Sequence, residues 1–417
     1  MKTLLSLLLL STMMPLLGSA QEGCTDSQAI NYDPSATVND GSCIYPPTQY
    51  SPLLITEFDS SLSELSGLVF IDGKLLALND GGNPASLYLI DTLTGELQAT
   101  FTLSNLSNID WEDLAQSPEY VYIGDFGNNN GDRTDLRIIR LRKSELLAGV
   151  LNPEIIQFSY SDQTDFTPAP NANNYDCEAF FWHTDSLHLF SKNWLDEKTR
   201  HYTLADQPGT QIAHLRDSFD IGGLVTSADI SDKGVIALLA IGKSFPMVSM
   251  TLLFDYPDQR FFGGNKRRID LGFVTELRQA EAIAFSIQGR GFIGSEELLS
   301  AFSAALFKFE SAQWTEPVVA VDEEPALPFA MALPNPFSDV LEIYLPKGYD
   351  QPFRVRLVDM WGRPIFSEQF EDGAGRGFSY SWSADSLPTA DGLYLLLVEK
   401  MDSRPLESIL LMKKERE

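Results

Sequence analysis

The sequence is poor in cysteine and in basic residues. Three of its 417 residues are cysteines, too few for a disulfide-stapled scaffold, and 30 lysines and arginines stand against 58 aspartates and glutamates. The formal net charge of −28 repels nucleic acid and anionic lipid, so neither is expected as a partner. Clustered carboxylates attract cations such as Ca²⁺, although acidity also serves simply to keep a secreted protein soluble.

Long apolar runs are absent after the first 20 residues, so no transmembrane segment is predicted. The chain starts with Lys2, continues with the apolar run 4–10 and reaches the small residues Gly18-Ser19-Ala20. This order is typical of a secretory signal peptide. We therefore predict a signal peptide at 1–20 and an exported protein.

Several catalytic motifs are missing as well. The sequence contains no G-x-S-x-G elbow, no G-x-x-x-x-G-K-[ST] phosphate loop and no H-E-x-x-H zinc helix. Its four histidines are dispersed and predict no zinc site. Cys177 has no histidine near it in sequence, which favours a buried apolar role over a nucleophilic one.

Residues 21–45 form a short loop bounded by Cys24 and Cys43, which can pair in an oxidising compartment. The pattern "GCTD…NYDP…DGSC" resembles the calcium-binding loops of thrombospondin-type repeats. That resemblance implies a calcium site built from oxygen-bearing side chains, namely Asp26, Asn31, Asp33 and Asp40. A loop held only by Asx turns is the alternative.

Residues 46–316 are rich in short alternating runs typical of β-strands. An acidic residue stands near the start of each candidate inner strand, in the order Glu64, Glu112, Glu178, Asp229 and Glu281. These residues recur about every 50 positions, a period that matches a four-stranded propeller blade. We predict an all-β protein with a five-bladed β-propeller, six blades being the alternative if the longest interval hides one. The strand "SPLLITEF" at 51–58 would complete the last blade and close the ring.

An acidic, proline-rich linker is predicted at 317–330 and a small immunoglobulin-like β-sandwich at 331–417. In the sandwich, Phe353, Val355 and Leu357 alternate with two arginines, which indicates one buried and one solvated face.

This C-terminal region resembles the sorting domains of proteins exported by the bacterial type IX secretion system. The matching features are "PNP" at 334–336, "DMWGRPI" at 359–365, "DGLYLLLV" at 391–398 and the basic pair Lys413-Lys414. The resemblance implies the type IX machinery as a partner, passage across the outer membrane, and anchoring at the cell surface or release.

The propeller topology predicts where polar residues converge. Inner strands start, and second strands end, at the same face of a propeller, so both sets should meet at one mouth of the channel. We predict metal ligands there at the inner-strand starts, namely Glu112, Glu178, Asp229 and Glu281. We predict contacts with a ligand from the residues around them, namely Glu64, Asp80, Asp125, Lys192 and Glu296. The alternative is that these acids only cap strand ends and satisfy loop amides.

The central region also resembles the acidic-mouthed propellers of the phytase-like and esterase-like families. That resemblance implies Ca²⁺ at the mouth and metal-assisted hydrolysis of an ester or phosphoester, with Asp113 as general base. The main expectation is a secreted or surface propeller that binds a small molecule, glycan or peptide. Hydrolysis and a purely adhesive role are the alternatives, because carboxylates serve enzymes and binding proteins equally.

Overall fold

The computed structural model describes residues 21–299 and 302–316, and in the C-terminal region residues 331–333, 337–338, 340–345, 352–360, 362–370, 378–383, 388, 390–401 and 405–413. The predicted signal peptide, the linker 317–330, the "PNP" motif and Lys414 lie outside the described residues. The chain divides near residue 318 into two compact units. Among the described residues, no helix has the length and apolar character needed to cross a membrane.

The first unit is a five-bladed β-propeller, which confirms the predicted fold class and the count of five. Blade 1 contains β4 (Leu65–Ile71), β5 (Lys74–Asn79), β6 (Ser86–Asp91) and β7 (Leu97–Thr102). Blade 2 contains β8 (Trp111–Gln116), β9 (Tyr120–Asp125), β10 (Arg137–Arg142) and β11 (Glu154–Tyr160). Blade 3 contains β12 (Asp176–His183), β13 (Ser186–Lys192), β14 (Thr199–Ala205) and β15 (Gly209–Phe219).

Blade 4 contains β16 (Leu224–Ile230), β17 (Ile236–Ile241), β18 (Met247–Phe254) and β19 (Asn265–Phe273). Blade 5 contains β20 (Gln279–Phe285), β21 (Arg290–Glu296), β22 (Ala305–Glu310) and, as its outer strand, β3 (Leu53–Glu57). The strand that precedes blade 1 in sequence thus completes blade 5, as predicted. The inner strands contact one another in the order β4, β8, β12, β16, β20 and back to β4, so the ring is closed.

The remaining elements of this unit are short. The N-terminal loop contains the parallel pair β1 (Glu22–Gly23) and β2 (Val38–Asn39). The helical turns are α1 (Lys143–Leu147), α2 (Val274–Leu277), α3 (Ala312–Thr315) and two 3₁₀ turns at Ser60–Leu62 and Phe261–Gly263. The long interval between the second and third repeats contains the loop 161–175, and the outer strands β11 and β15 pair in parallel beside it. That interval therefore holds no sixth blade.

Apolar clusters hold neighbouring blades together. Leu76 and Leu78 of blade 1 pack with Leu114 and Ile139 of blade 2, and similar clusters fill each of the other blade interfaces. Each sheet buries both faces in this way, so nearly every residue of its inner strand is buried. In the outer strands more exposed and less exposed residues alternate. Since the faces of the blades pack against one another through apolar side chains, polar side chains are expected to gather in the channel and at its mouth.

The second unit is a sandwich of two antiparallel sheets. One sheet contains β23 (Met331–Leu333), β24 (Val340–Leu345) and β27 (Phe378–Ser383). The other contains β25 (Phe353–Asp359), β26 (Pro364–Phe370), β28 (Gly392–Lys400) and β29 (Pro405–Lys413). Leu341 and Trp382 from the first sheet pack with Val355 and Leu396 from the second, which forms a single core.

Candidate functional site

Each inner strand of the propeller has a β-bulge at the same position. The extra residues are Ser66, Glu112, Glu178, Thr226 and Glu281. A bulge turns a side chain away from the regular strand alternation, here at the mouth of the channel. Three of the predicted metal ligands thus occupy equivalent positions in blades 2, 3 and 5, and hydroxyl residues take that position in blades 1 and 4.

The other two acids of the predicted ring lie elsewhere. Glu64 precedes the bulge of blade 1 by two residues and is exposed at the rim, where its carboxylate accepts a hydrogen bond from Asn83. Asp229 follows the bulge of blade 4 by three residues and is partly buried between blades 4 and 5. Its carboxylate accepts hydrogen bonds from the backbone of Ile230 at 2.8 Å and Phe285 at 2.7 Å. The alignment of one acid per repeat does not show that Glu64 and Asp229 lie at other positions relative to the bulge, because no residue pattern in the sequence marks a bulge.

Asp113, predicted as a general base, is inside the channel. It is fully buried and joins three blades by accepting hydrogen bonds from the backbone N–H of Leu114 at 2.9 Å, Phe180 at 3.3 Å and Ala228 at 3.4 Å. The hydroxyl of Ser227 lies 3.2 Å from the same carboxylate. The inner edge of each blade has no neighbouring strand to pair its N–H groups, and Asp113 satisfies several of them. This role is structural.

The residues at the ends of the second strands divide in a similar way. Three of them occupy equivalent positions at the mouth, each across from an inner-strand residue of its own blade: Asp80, Lys192 and Glu296. Asp125 pairs with Trp111, one position deeper, and is completely buried. Its carboxylate forms ion pairs with Arg133 at 3.1 Å and Arg137 at 2.7 Å. Asp125 therefore stabilises blade 2 and does not face the mouth.

Three carboxylates at the mouth lie close enough to share one cation. Oxygen atoms of Asp80, Asp110 and Glu112 all lie within 4.8 Å of one another. The side chain of Glu112 is buried, and no hydrogen-bond donor reaches its carboxylate from the part of the chain that is described. Asp110 is not among the predicted ligands, although the spacing D-x-E, which occurs at 110–112 and again at 176–178, is a signal that marks it in the sequence.

The pKa values of the three acids in this cluster are raised, because the acids are buried and too little positive charge lies near them. Burial and the charges of Glu281 and Asp110 raise the pKa of Asp80 to about 7. Burial, followed by repulsion from other acids, raises the pKa of Asp110 to about 6. Burial also raises the pKa of Glu112 well above its usual range, with Glu178 as the next cause.

Lys192 is the ammonium group at the centre of the mouth. It forms an ion pair with Glu178 and lies 5.1 Å from the centre of the Trp194 ring. Burial alone would lower the pKa of Lys192, but the surrounding carboxylates, led by Glu178 and Glu281, raise it instead. Lys192 therefore stays charged and offsets part of the acidic field.

A second group of acids lies between blades 5 and 1. The side-chain amide of Gln279 donates to Glu281 at 2.7 Å and to Glu296 at 3.0 Å. The other oxygen of Glu296 is buried and has no hydrogen-bond partner among the residues that the structure describes. Burial and the neighbouring Glu281 raise the pKa of Glu296 well above its usual range. The mouth thus contains more negative charge than Lys192 can neutralise.

The backbone at Gly127 lies directly beside the carboxylates of Asp110 and Glu112. A substitution of Gly127 therefore tests the cation site without changing its charge. A methyl group on Gly127 would overlap Oε1 of Glu112 and lie 2.5 Å from Oδ2 of Asp110. We expect Gly127→Ala to displace these carboxylates, to abolish the thermal shift caused by divalent cations, and to cost about 1–3 kcal/mol of stability. Gly263→Ala is the control, because its nearest contacts are ordinary ones. A normal cation response in Gly127→Ala would show that these oxygens do not bind the ion.

The four predicted ligands of the N-terminal loop take part in local turns. Asp26 accepts from the backbone of Gln28 at 2.9 Å, and Asp33 and Asp40 each accept from the residue two positions ahead. Asn31 bridges to Ser42 and Ile44 of the same loop. Cys24 and Cys43 form a disulfide. Within the described part of this loop no three acidic groups approach one another closely enough to share an ion, so the observed contacts are those of Asx turns.

Comparisons with known proteins place few constraints on the function. No known family matches the chain, and no curated protein matches it by sequence. Among solved structures, it is similar to PorZ, an essential surface component of the type IX secretion system of Porphyromonas gingivalis (TM-score 0.32, 13% identity, 94% of this chain and 50% of that chain). This chain thus spans about half of PorZ.

Two further similar structures are smaller proteins. One is a putative gluconolactonase (TM-score 0.35, 13% identity, 61% of this chain and 76% of that chain). The other is regucalcin, a calcium-binding protein from Agrobacterium tumefaciens (TM-score 0.31, 17% identity, 59% of this chain and 74% of that chain). All three similarities are too distant to assign an activity to this protein.

Proposed function

We propose that this protein is an exported β-propeller that binds Ca²⁺ at the channel mouth and, with the ion, a ligand from outside the cell. The observation that carries the proposal is the group of three carboxylates of Asp80, Asp110 and Glu112 within 4.8 Å, with Glu112 buried and no donor to its carboxylate among the described residues. A buried carboxylate without a partner is costly, and a cation removes that cost.

The donor set suits Ca²⁺ better than softer metals. Ca²⁺ prefers carboxylate and carbonyl oxygens and accepts flexible geometry, whereas zinc sites use nitrogen and sulfur ligands. The backbone carbonyl groups and water at an open mouth can complete the coordination of a large cation. When bound, Ca²⁺ would supply a positive charge able to hold an anionic or hydroxylated group of the ligand.

Binding is favoured over hydrolysis by the placement of the polar groups. Asp113 is saturated by channel hydrogen bonds, and Lys192 neutralises Glu178, so neither acid is free to act as a base. The bound ion would be the positive centre that a ligand meets at the mouth, because Lys192 is buried and already paired with Glu178. Ester and phosphoester hydrolysis therefore remains the less favoured candidate.

The proposed location is the outer surface of the cell or the medium. It rests on the signal-peptide pattern at 1–20 and on the resemblance of the C-terminal sandwich to type IX sorting domains. In this proposal the sandwich engages the secretion machinery and the propeller carries the binding function.

A metal titration tests the calcium site. We expect Ca²⁺ to raise the melting temperature of the purified protein, by an amount equal to about 2.7 kcal/mol at a hundredfold excess over the dissociation constant. Asp80→Asn should abolish most of this gain because it removes one of three carboxylates. The control is Glu96→Gln, which alters an exposed acid away from the mouth and should respond like the wild type. No stabilisation of the wild type by Ca²⁺, Mg²⁺ or Mn²⁺ would refute the site.

A further inference from the structure

A second cavity opens between blades 3 and 4, away from the acidic mouth. Its volume is about 870 Å³, within the range of small-molecule sites. The wall is formed by the β12–β13 turn, strands β14 and β15, and the segment before the 3₁₀ turn of blade 4. The polar side chains that matter here are His183, His201, Arg216, Asp217, Asp258 and Arg260. None of them belongs to the mouth.

A pair of buried histidines lies behind this wall. Nε2 of His188 is 3.3 Å from the carbonyl oxygen of His183, and Nδ1 of His188 is 2.9 Å from Nε2 of His201. A carbonyl oxygen can only accept, so His188 carries its proton on Nε2 and its Nδ1 is an acceptor. His201 must then donate through Nε2. In the neutral ring this leaves a lone pair on Nδ1 of His201.

That lone pair is available to a ligand. His201 is 1% exposed and lines the cavity, and its Nδ1 has no hydrogen-bond partner in the described chain. Burial lowers the pKa of His188 to about 4 and lowers the pKa of His201 well below its usual value. Both rings therefore stay neutral at physiological pH, and Nδ1 of His201 remains an acceptor for a hydroxyl group.

Two exposed arginines, Arg216 and Arg260, line the same cavity, which also contains Asp217 and Asp258. Arg216 is the extra residue of a β-bulge opposite His201 and Tyr202, which turns it out of the regular alternation of β15. Neither Arg216 nor Arg260 forms an ion pair with any carboxylate among the residues that the structure describes. The exposed guanidinium groups of Arg216 and Arg260 can bind an anionic group of a ligand by charge-assisted hydrogen bonds.

The same wall does not form a metal site. No three imidazole or carboxylate groups there come close enough to share an ion, as judged over the described residues. Asp217 and Asp258 can instead accept hydrogen bonds from the hydroxyl groups of a bound molecule. The lining thus combines two anion-binding groups with several acceptors for hydroxyls.

We propose that this cavity binds a hydroxylated anion of monosaccharide or disaccharide size. Its carboxylate or phosphate would contact the guanidinium groups of Arg216 and Arg260, and one hydroxyl would donate to Nδ1 of His201. This proposal is independent of the calcium site at the mouth.

Calorimetric titrations of the full-length protein test the proposal with three probes: glucuronate, glucose 6-phosphate and uncharged glucose. We expect at least one of the anions to bind, with an affinity that falls as salt is added, and glucose to bind at least tenfold more weakly. The double variant Arg216→Gln/Arg260→Gln should lose at least tenfold in affinity for the anion. Arg290→Gln is the control, because Arg290 is an exposed arginine of blade 5 that pairs with Glu310.

A second readout separates a binding role from a structural one. Long-range ¹H–¹⁵N spectra should show His201 protonated on Nε2 and unprotonated on Nδ1, and the ¹⁵N shift of Nδ1 should move when the anion is added. Binding of glucuronate alone or of glucose 6-phosphate alone supports the proposal and identifies the acidic group. No binding of either anion at millimolar concentration, equal binding of glucose, or an equal loss in Arg290→Gln would overturn it.

Discussion

Lys192→Met is expected to destabilise the propeller by about 3–5 kcal/mol at neutral pH, the largest effect of any single substitution at the mouth. Lys192 is almost completely buried, pairs with Glu178 and also offsets Glu281, Asp176 and Glu112. Methionine keeps much of the volume and removes the charge. The buried carboxylates would then repel one another without compensation.

The loss should depend on pH in a defined direction. Burial and like charge already raise the pKa of Asp80 to about 7, and removing Lys192 favours protonation of its acidic neighbours further. The destabilisation should therefore be largest above about pH 7 and shrink as pH falls through that value, because protonated acids no longer repel. Urea unfolding of both proteins at several pH values measures this difference.

Lys233→Met is the matched control for this experiment. Lys233 pairs with Glu316, and both side chains are about half exposed, so its loss should leave stability almost unchanged at every pH. Equal effects of the two substitutions, or a Lys192 effect that does not change with pH, would contradict the role assigned to Lys192.

Glu112→Gln is expected to change stability in opposite directions with and without Ca²⁺. In a chelator the substitution should stabilise the protein by about 1–3 kcal/mol, since it removes a buried carboxylate that no donor in the described chain reaches. The new amide can donate to the neighbouring carboxylates of Asp80 or Asp110. At saturating Ca²⁺ the wild type should become the more stable protein, because it alone retains all three carboxylate ligands.

The wild type in chelator should also become less stable as pH rises through about 6 to 7. Asp110 and Asp80 have folded-state pKa values of about 6 and about 7, above those of unfolded aspartate, so the folded state binds protons more tightly. The contribution of these groups is full below about pH 4 and is lost as they ionise. Ca²⁺ should flatten this part of the profile.

Thermal and urea unfolding in the two conditions measure the reversal, with Glu96→Gln as the exposed-acid control. A Glu112→Gln protein that is less stable than the wild type in chelator would show that the carboxylate has a structural partner. In that case the mouth acids act as structural caps, the alternative that the sequence analysis left open.

The sequence by itself determined the fold of the first unit to a large extent. The period of about 50 residues and the alternating strands reflect a local pattern that every blade must satisfy, because each sheet buries both faces. The closing role of β3 also followed from the sequence, since the fifth repeat lacked a fourth strand. The recurring acids at the starts of inner strands reflect the repeat as well, since Glu112, Glu178 and Glu281 occupy equivalent bulge positions in blades 2, 3 and 5.

Only the tertiary structure decided which acids meet. A bulge inserts one residue and shifts the side chains that follow it, as for Asp113 and Asp229. Asp110 comes before the bulge of blade 2 and meets Asp80 and Glu112 only through the fold. The pairing of Asp125 with two arginines and the central place of Lys192 arise from contacts across strands and blades. Such contacts depend on the register of distant segments, and a one-residue shift is enough to move a carboxylate from one environment to another.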